Sequence, residues 1–297
     1  MSVPELPPRD EAIRSFRTID LARDHGALLE RAVQMTDAGL SWSEYLRAPE
    51  VSEVEPLCVL VRTILRSDRG IALLRIGEGI SDDAMRLLVL LIGRGLGRNV
   101  VPTVGADPRP LFAITATDDP TIGGAYAGNG RNAKPLAMHT DGSGIHTGTV
   151  DILGMLCIRP AEEGGASRFA DAFAAHARLS IRSKAILTRP LPRVDPYNPT
   201  LRADRLTCRP VFEGRSFSYH PQRLRDGVRL RRGTVAPDLE HAFSELDAAL
   251  DERAMEVRMR RGDVVLLNNS LIAHGRTAFV DAGPPRLIER LWIEVGS

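Results

Sequence analysis

Hydrophobic and polar positions follow two patterns along the chain, and the change falls near Gly97. From about residue 9 to residue 96, apolar residues recur every three or four positions, as they do in helices that bury one face. This spacing predicts helices over 19–37, 54–65 and 81–91, the last capped by Ser81, and one strand over 69–76. We therefore expect residues 1–97 to form a mainly helical N-terminal part.

Beyond residue 97 the chain consists of short apolar stretches separated by Gly, Pro and Asp. Strands are predicted over 111–116, 149–158, 209–211, 216–219, 257–259, 264–267 and 287–295, and helices over 172–183 and 237–253. Many short strands are typical of an antiparallel sandwich or barrel, so the expected fold class is mostly β with flanking helices. The segment 188–204 is rich in Pro and Arg, and we expect a long, lid-like loop there.

Composition and charge exclude several classes of protein. Hydrophobic residues make up 43% and charged residues 26%, as in an ordinary soluble globular enzyme. A net charge of +1 gives no overall field that would attract nucleic acid or an anionic membrane. Only Lys134 and Lys184 are lysines, so nearly all of the 39 basic residues are arginines. Either a coding bias places arginine at the surface, or some of these guanidinium groups bind carboxylates in forked pairs.

The cysteines and the apolar runs bear on location. Cys58, Cys157 and Cys208 are odd in number and form no CxxC pair, so neither a disulfide framework nor a thiolate zinc site is indicated. The N-terminus lacks the pattern of a signal peptide, and the longest apolar run, around 87–92, is too short to span a bilayer. We expect a cytoplasmic protein with no membrane partner.

The pair His139 and Asp141 is the first candidate for a functional site. In a strand, residues i and i+2 point to the same face, so the imidazole and the carboxylate can converge. His274, which follows an apolar strand and precedes a Gly turn, is the third candidate ligand. Two His and one carboxylate leave positions open on a metal, as in non-haem Fe(II) oxygenases. Alternatively, His139 is a turn residue and His274 an ordinary core histidine.

Four motifs surround these residues in order: HTDGS at 139–143, EGGASRFADA at 163–172, RGDVVLLNNSLIAHGRTAF at 261–279 and RLIERLWI at 286–293. With them the chain, from about residue 70 onwards, resembles the taurine dioxygenase and clavaminate synthase-like superfamily of Fe(II)/2-oxoglutarate oxygenases. The resemblance implies one oxygenase domain over 1–297. Its core at 98–297 would be a double-stranded β-helix, or jelly roll, with the insertion at 188–204 and the metal at the open mouth.

The resemblance also implies roles for three further residues. Arg286 takes the position of the Arg that binds the far carboxylate of 2-oxoglutarate, a contact suited to a guanidinium fork. Ser167 stands where the superfamily usually has a Thr that binds the same carboxylate, and a Ser hydroxyl can make that bond. Arg290 matches a second Arg that often faces an acidic group of the substrate. Arg276, two residues after His274, ranks second for the 2-oxoglutarate carboxylate, and we expect it either to leave the site or to order the turn.

The implied cofactors are Fe(II), 2-oxoglutarate and O₂, with succinate and CO₂ as co-products. Because Asp141 is a carboxylate, hydroxylation or desaturation is favoured over halogenation. The expected substrate is a small polar molecule, a free or modified amino acid of specialised metabolism; the candidate contacts are Tyr126, Asn132, Ser143, His146, Tyr197, Tyr219, His220 and Arg290. The alternative functions are a taurine-type sulfonate or carboxylate dioxygenase, a Zn²⁺ hydrolase on the same ligands and a non-catalytic jelly roll. For the oligomeric state, the sequence allows a homo-oligomer.

Overall fold

The computed structural model describes residues 17–39, 44, 52–67, 70–101, 110–115, 132–143, 150–195 and 206–296. Eight α-helices lie in these ranges: α1 (Leu21–Asp24), α2 (Gly26–Asp37), α3 (Glu55–Arg66), α4 (Asp82–Leu96), α5 (Ala172–Arg178), α6 (Ile181–Leu187), α7 (Pro221–Arg232) and α8 (Pro237–Glu252). A short 3-10 helix at Ser52–Val54 precedes α3. None of the helices in the described ranges is both long and apolar enough to cross a membrane.

The same ranges contain seventeen short strands. They are β1 (Arg17–Asp20), β2 (Ile71–Arg75), β3 (Arg98–Val100), β4 (Leu111–Thr115), β5 (Leu136–His139), β6 (Ile152–Arg159), β7 (Glu163–Gly164), β8 (Ser167–Asp171), β9 (Leu191–Arg193), β10 (Thr207–Arg209), β11 (Phe212–Glu213), β12 (Ser216–Phe217), β13 (Met255–Val257), β14 (Asp263–Asn268), β15 (Ile272–Arg276), β16 (Phe279–Val280) and β17 (Leu287–Glu294).

The strands form two main sheets. The larger sheet has the order β1-β2-β14-β6-β17-β3, with β4 also paired to β17, and only its edge pair β1 and β2 is parallel. The smaller sheet has the order β13-β8-β15-β5 and is antiparallel throughout. Short hairpins pair β9 with β10, β11 with β12, and β7 with β16.

Three hydrophobic clusters show how these elements are layered. One cluster lies between the sheets and takes Val265 from the larger sheet and Phe169 from the smaller sheet. A second packs α2, α3 and α4 on the outer face of the larger sheet, and Leu88 and Leu291 belong to it. A third packs α5 to α8 on the outer face of the smaller sheet. The layers are therefore helix, sheet, sheet and helix, and alternate residues of a strand such as β14 face opposite layers.

The expected class, mostly β with flanking helices, is confirmed, but several elements differ from the prediction. The helix predicted over 19–37 begins as strand β1 and divides into α1 and α2, and the one predicted over 172–183 divides into α5 and α6. Helix α7 was not predicted, because its sequence PQRLRDGVRLRR has few apolar residues. The loop expected over 188–204 contains β9, which pairs with β10, while 196–204 lies outside the described residues.

Candidate metal centre

His139 and His274 are brought together by strand pairing. They are directly opposite each other in the antiparallel ladder of β5 and β15, and their ring centroids are 4.2 Å apart. Asp141 follows β5 by two residues, and its Oδ1 lies 3.7 Å from His139 Nε2 and 3.9 Å from His274 Nε2. One ligand atom from each of the three buried residues falls within 4.8 Å of the others. These contacts are too long for hydrogen bonds, and the spacing suits donors arranged around a cation.

The hydrogen bonds of the two imidazoles indicate which nitrogens are available. His139 Nδ1 lies 2.9 Å from the carbonyl oxygen of Ala137, so it donates its proton there and leaves Nε2 as a lone-pair donor. His274 Nδ1 is buried and has no hydrogen-bond partner among the described residues. Burial lowers the pKa of His139 and lowers the pKa of His274 to about 3. Both rings are therefore neutral at pH 7, as metal binding requires.

The Asp141 carboxylate is held by two residues of β17. Trp292 Nε1 donates to Oδ2 at 2.8 Å, and Arg290 Nη1 lies 2.9 Å from Oδ2 and 3.1 Å from Oδ1. Burial alone would raise the pKa of Asp141, but the charge of Arg290 and the hydrogen bond from Trp292 hold it well below its usual value. Asp141 is therefore an anion that presents Oδ1 to both imidazoles, while Trp292 holds Oδ2.

The alternation of β17 explains why these side chains share one face. Ile288 and Trp292 belong to the cluster between the sheets, whereas Leu291 and Ile293 face the helices. Arg290 is in phase with the first pair, so the two-residue period directs it inward. Its guanidinium lies 4.9 Å from the Trp292 ring centroid. A predicted strand of alternating pattern thus carries the polar groups of the site on its inner face.

Arg286 and Ser167 lie in a second part of the interior. Arg286 is buried, and its guanidinium lies 5.5 Å from the centroid of the Phe279 ring. Its backbone N–H donates to Asp281 Oδ2 at 2.8 Å, whereas the guanidinium makes no hydrogen bond to a described residue. Burial lowers the pKa of this guanidinium. A methyl group added to Gly165 would come within 3.5 Å of Arg286 Nε, which places Arg286 beside the 163–167 segment. The buried Ser167 hydroxyl has only a weak contact with Met259 Sδ, at 3.6 Å.

Arg276 orders a neighbouring segment. Its Nη2 donates to the carbonyl oxygens of Asn132 and Lys134, at 2.5 and 2.7 Å, and its guanidinium lies 4.6 Å from the Phe279 ring centroid. Burial, followed by repulsion from Arg286, lowers the pKa of Arg276 to about 10. Arg276 therefore ties the chain that leads into β5 to the end of β15, in the ordering role expected for it.

The turn that carries Asp141 is bound by groups from the C-terminal part of the chain. The backbone of Tyr219 accepts from Thr140 N at 2.7 Å and donates to Thr140 Oγ1 at 3.0 Å. Ser143 is wholly buried; its hydroxyl is bonded to Arg193 at 3.1 Å, and its carbonyl accepts from Arg223 at 2.7 Å. The residues on either side of Asp141 thus have fixed partners.

The predicted substrate contacts are placed in different ways. Tyr126, His146 and Tyr197 lie outside the described residues. Asn132 caps its own turn by accepting from Lys134 N, and the side chain of Ser143 is occupied by Arg193. Two of the remaining residues lie beside the proposed ligands: the ring centroid of His220 is 5.3 Å from that of His139, and Arg290 donates to Asp141. The hydroxyl of Tyr219 instead donates to Asp247 on α8.

Three residues of this neighbourhood were missed by the sequence reasoning: Arg193, Asn269 and Trp292. Trp292 could have been found, since it shares the inward period of Arg290 on a predicted strand. Arg193 gave no such signal because it lies in a Pro-rich and Arg-rich segment that looks like a loop. Asn269 lies in the turn before β15, and a single Asn in a turn has no distinguishing pattern.

The donor set fits Fe(II). Two neutral imidazole nitrogens and one carboxylate oxygen form the facial set associated with non-haem iron, in which half of the octahedron stays free for other ligands. Asp141 Oδ1 lies 3.7 Å and 3.9 Å from the two Nε2 atoms, and the remaining carboxylate oxygen accepts from Trp292. These residues could therefore hold the metal while Trp292 and Arg290 keep their contacts with Oδ2.

Comparisons with known proteins agree with this geometry. The family model described as "Taurine catabolism dioxygenase TauD, TfdA family" matches residues 51–292. A solved structure of asparagine oxygenase with Fe(II), 2S,3S-3-hydroxyasparagine and succinate is 17% identical, with 93% of each chain covered and a TM-score of 0.70. The non-heme iron oxygenase OrfP with Fe and alpha-ketoglutaric acid is 19% identical, with 95% of each chain covered and a TM-score of 0.72.

OrfP is also matched in complex with Fe, succinate and (3S)-hydroxy-L-Arg, at 16% identity, 94% coverage of this chain, 95% of that chain and a TM-score of 0.70. No curated protein matches the chain. At these identities the structural likeness shows the fold, and the predicted jelly roll is confirmed.

Proposed function

The chain belongs to the taurine catabolism dioxygenase TauD, TfdA family, and from this premise we propose that it hydroxylates a free or modified amino acid. As a member of this family it is an iron- and 2-oxoglutarate-dependent dioxygenase. The observation that carries the proposal is the convergence of His139, Asp141 and His274 on one buried point beside Arg290 and Trp292. We assign the first three residues as the Fe(II) ligands.

When bound, Fe(II) with 2-oxoglutarate supplies the oxidation of a C–H bond by O₂. The chain's own part is to keep the three donors in place and to exclude water. Burial keeps His139 and His274 neutral, so each offers a lone pair. Arg290 and Trp292 keep Asp141 ionised and oriented.

Arg286 and Ser167 are assigned to the far carboxylate of 2-oxoglutarate. The support is that Arg286 is buried and its guanidinium makes no hydrogen bond to a described residue, so it is available for a forked contact. Ser167 is buried as well, and its hydroxyl has no stronger partner than a thioether. A buried cation of this kind is expected to gain a carboxylate.

The proposed substrate class rests on analogy. The matched asparagine oxygenase and OrfP structures hold hydroxylated amino acids. Arg290, which is paired with Asp141, could face the acidic group of an amino acid or of a sulfonate, so it is the analogy that favours an amino acid over the taurine-type alternative. His220 and Arg290 would lie nearest to a substrate at the metal. The cytoplasmic location, an oligomeric state and desaturation as a second outcome stay predictions.

We also propose that residues 1–297 form one oxygenase domain, with the N-terminal part at 1–97 and the jelly-roll core at 98–297. The larger sheet supports this, because it pairs β1 and β2 of the first part with β14 of the second. The lid-like insertion at 188–204 stays a prediction.

The test measures succinate formed from 2-oxoglutarate under air with Fe(II) and a panel of amino acids and sulfonates. We expect succinate and a hydroxylated product with an amino acid, and no product from Asp141→Ala. Arg286→Ala should mainly raise the KM for 2-oxoglutarate. Full activity in Asp141→Ala would contradict the ligand assignment. Turnover with sulfonates alone would contradict the substrate class, and stable Zn²⁺ binding without any turnover would contradict the oxygenase.

A further inference from the structure

Asn269, in the turn between β14 and β15, uses its whole side-chain amide on the segment that carries Asp141. Its Oδ1 accepts from Asp141 N at 3.0 Å, and its Nδ2 donates to the carbonyl oxygens of Asp141 at 3.0 Å and Val150 at 2.8 Å. The side chain is buried. A carboxamide has one acceptor oxygen and two N–H donors, so both donors and the acceptor are used.

Asn269 also contacts the chain just before β6 and lies shortly before the strand that carries His274. Its backbone N–H donates to Asp151 O at 2.9 Å, so one residue contacts both Asp141 and the start of β6. Asp141, Val150 and Asp151 are therefore all bonded to the same residue. Five residues after Asn269 the chain reaches His274, on β15. Asn269 therefore links the backbone of one proposed ligand to the strand that carries another.

We propose that Asn269 is a positioning residue of the metal site: it fixes the backbone of Asp141 relative to β15, so that Asp141 and His274 keep their spacing before metal binds. This rests on the metal site proposed above. Ligands that are already ordered lose less conformational entropy when metal binds. Residues that orient a ligand through hydrogen bonds typically contribute about 10–100-fold in metal affinity.

The neighbouring Asn268 provides a matched control. Its Nδ2 donates to Leu65 O on α3 at 3.2 Å, and its Oδ1 accepts from Ser270 N at 3.0 Å. Both residues are asparagines, and Asn268 ends β14 immediately before the turn that holds Asn269. Of the two, only Asn269 bonds to Asp141. An effect that reflects only lost local stability should therefore appear in variants at both positions, whereas a loss of metal affinity should appear only at Asn269.

The experiment uses Asn269→Ala, Asn269→Asp and Asn268→Ala in the full chain, with Co(II) as the probe under anaerobic conditions. Binding is measured by calorimetry and by the visible absorption of bound Co(II), and the melting temperature is measured with EDTA. Both Asn269 variants should bind Co(II) about 10–100-fold more weakly and show a changed visible spectrum. Asn268→Ala should bind Co(II) as the wild type does, despite a lower melting temperature.

Hydrogen exchange on the metal-free wild type gives a second readout that needs no variant. The amide of Asp141 should be protected to the same degree as the amides of β15, because Asn269 accepts its hydrogen. Rapid exchange at Asp141, or equal losses of Co(II) affinity at both positions, would overturn the inference. Wild-type affinity in a folded Asn269 variant would do the same. A wild type that binds no Co(II) would instead contradict the proposed function, and the inference with it.

Discussion

The two layers of helices that cover the sheets differ in how they relate to the metal site. The N-terminal layer, α2 to α4, packs on the larger sheet through apolar residues such as Leu88 and Leu91. Its clearest polar link is Arg86 on α4, which lies 2.8 Å from Glu289 on the outer face of β17. That contact holds β17 on the face that points away from the metal site. It touches none of the three proposed ligands.

The C-terminal layer, α5 to α8 with the hairpin of β9 and β10, has polar contacts with the turn after β5. Arg193 is wholly buried there and donates to Ser143 Oγ at 3.1 Å, to Ser218 Oγ at 2.6 Å and to the carbonyl oxygens of Arg209 at 3.1 Å and Pro210 at 2.6 Å. Burial lowers the pKa of Arg193 to about 9, so the guanidinium is still charged at pH 7. Both layers bury apolar surface, but the C-terminal layer also fixes the direction of the backbone at the site.

The largest effect on metal affinity within this comparison is expected for Arg193→Met. The variant leaves the acceptors around Ser143 without their donor, which costs about 1–3 kcal/mol of unfolding free energy for each buried group that stays unsatisfied. We expect about tenfold weaker Co(II) binding, since the turn that carries Asp141 is loosened. The measurements are urea unfolding and anaerobic calorimetry.

Arg193→Lys is the control for that prediction. Lys keeps the positive charge but cannot span four acceptors with a planar fork, so it should restore little of the metal affinity. Wild-type affinity in Arg193→Lys would mean that charge, and not the hydrogen-bond geometry, is what the turn requires.

Structural features that follow from a repeating pattern could be predicted from the sequence, whereas contacts between residues far apart in the chain could not. The pairing of His139 with His274 joins residues far apart in the chain and could not be predicted. The inner face of β17 follows from a two-residue period, so it could be predicted. The buried role of Arg193 could not, because it depends on acceptors at Ser143 and Ser218, distant in sequence. Helix α7 was not predicted because only a narrow apolar stripe of it, including Leu224 and Val228, is buried, and many of its other residues are arginines.

A smaller effect on metal affinity is expected for Tyr219→Phe. The variant removes the hydroxyl that donates to Asp247 at 2.7 Å, while the backbone bonds between Tyr219 and Thr140 remain. We expect a loss of about 1–2 kcal/mol in unfolding free energy and at most a slight loss of Co(II) affinity. A loss of affinity as large as that of Arg193→Met would show that the side chain, rather than the backbone, transmits order to the turn.

The smallest effect on metal affinity is expected for Leu88→Ala, which tests the N-terminal layer. Leu88 is fully buried on α4, and its truncation should cost about 2–5 kcal/mol of unfolding free energy. Because this layer packs behind β17 and has no hydrogen bond to the turn at 140–143 among the described residues, Co(II) affinity of the folded protein should stay at the wild-type value. Both variants would then lose stability, but only Arg193→Met would lose metal affinity, which global destabilisation cannot explain. Equal losses of affinity in the two variants would mean that the site depends on the whole fold and not on the C-terminal layer.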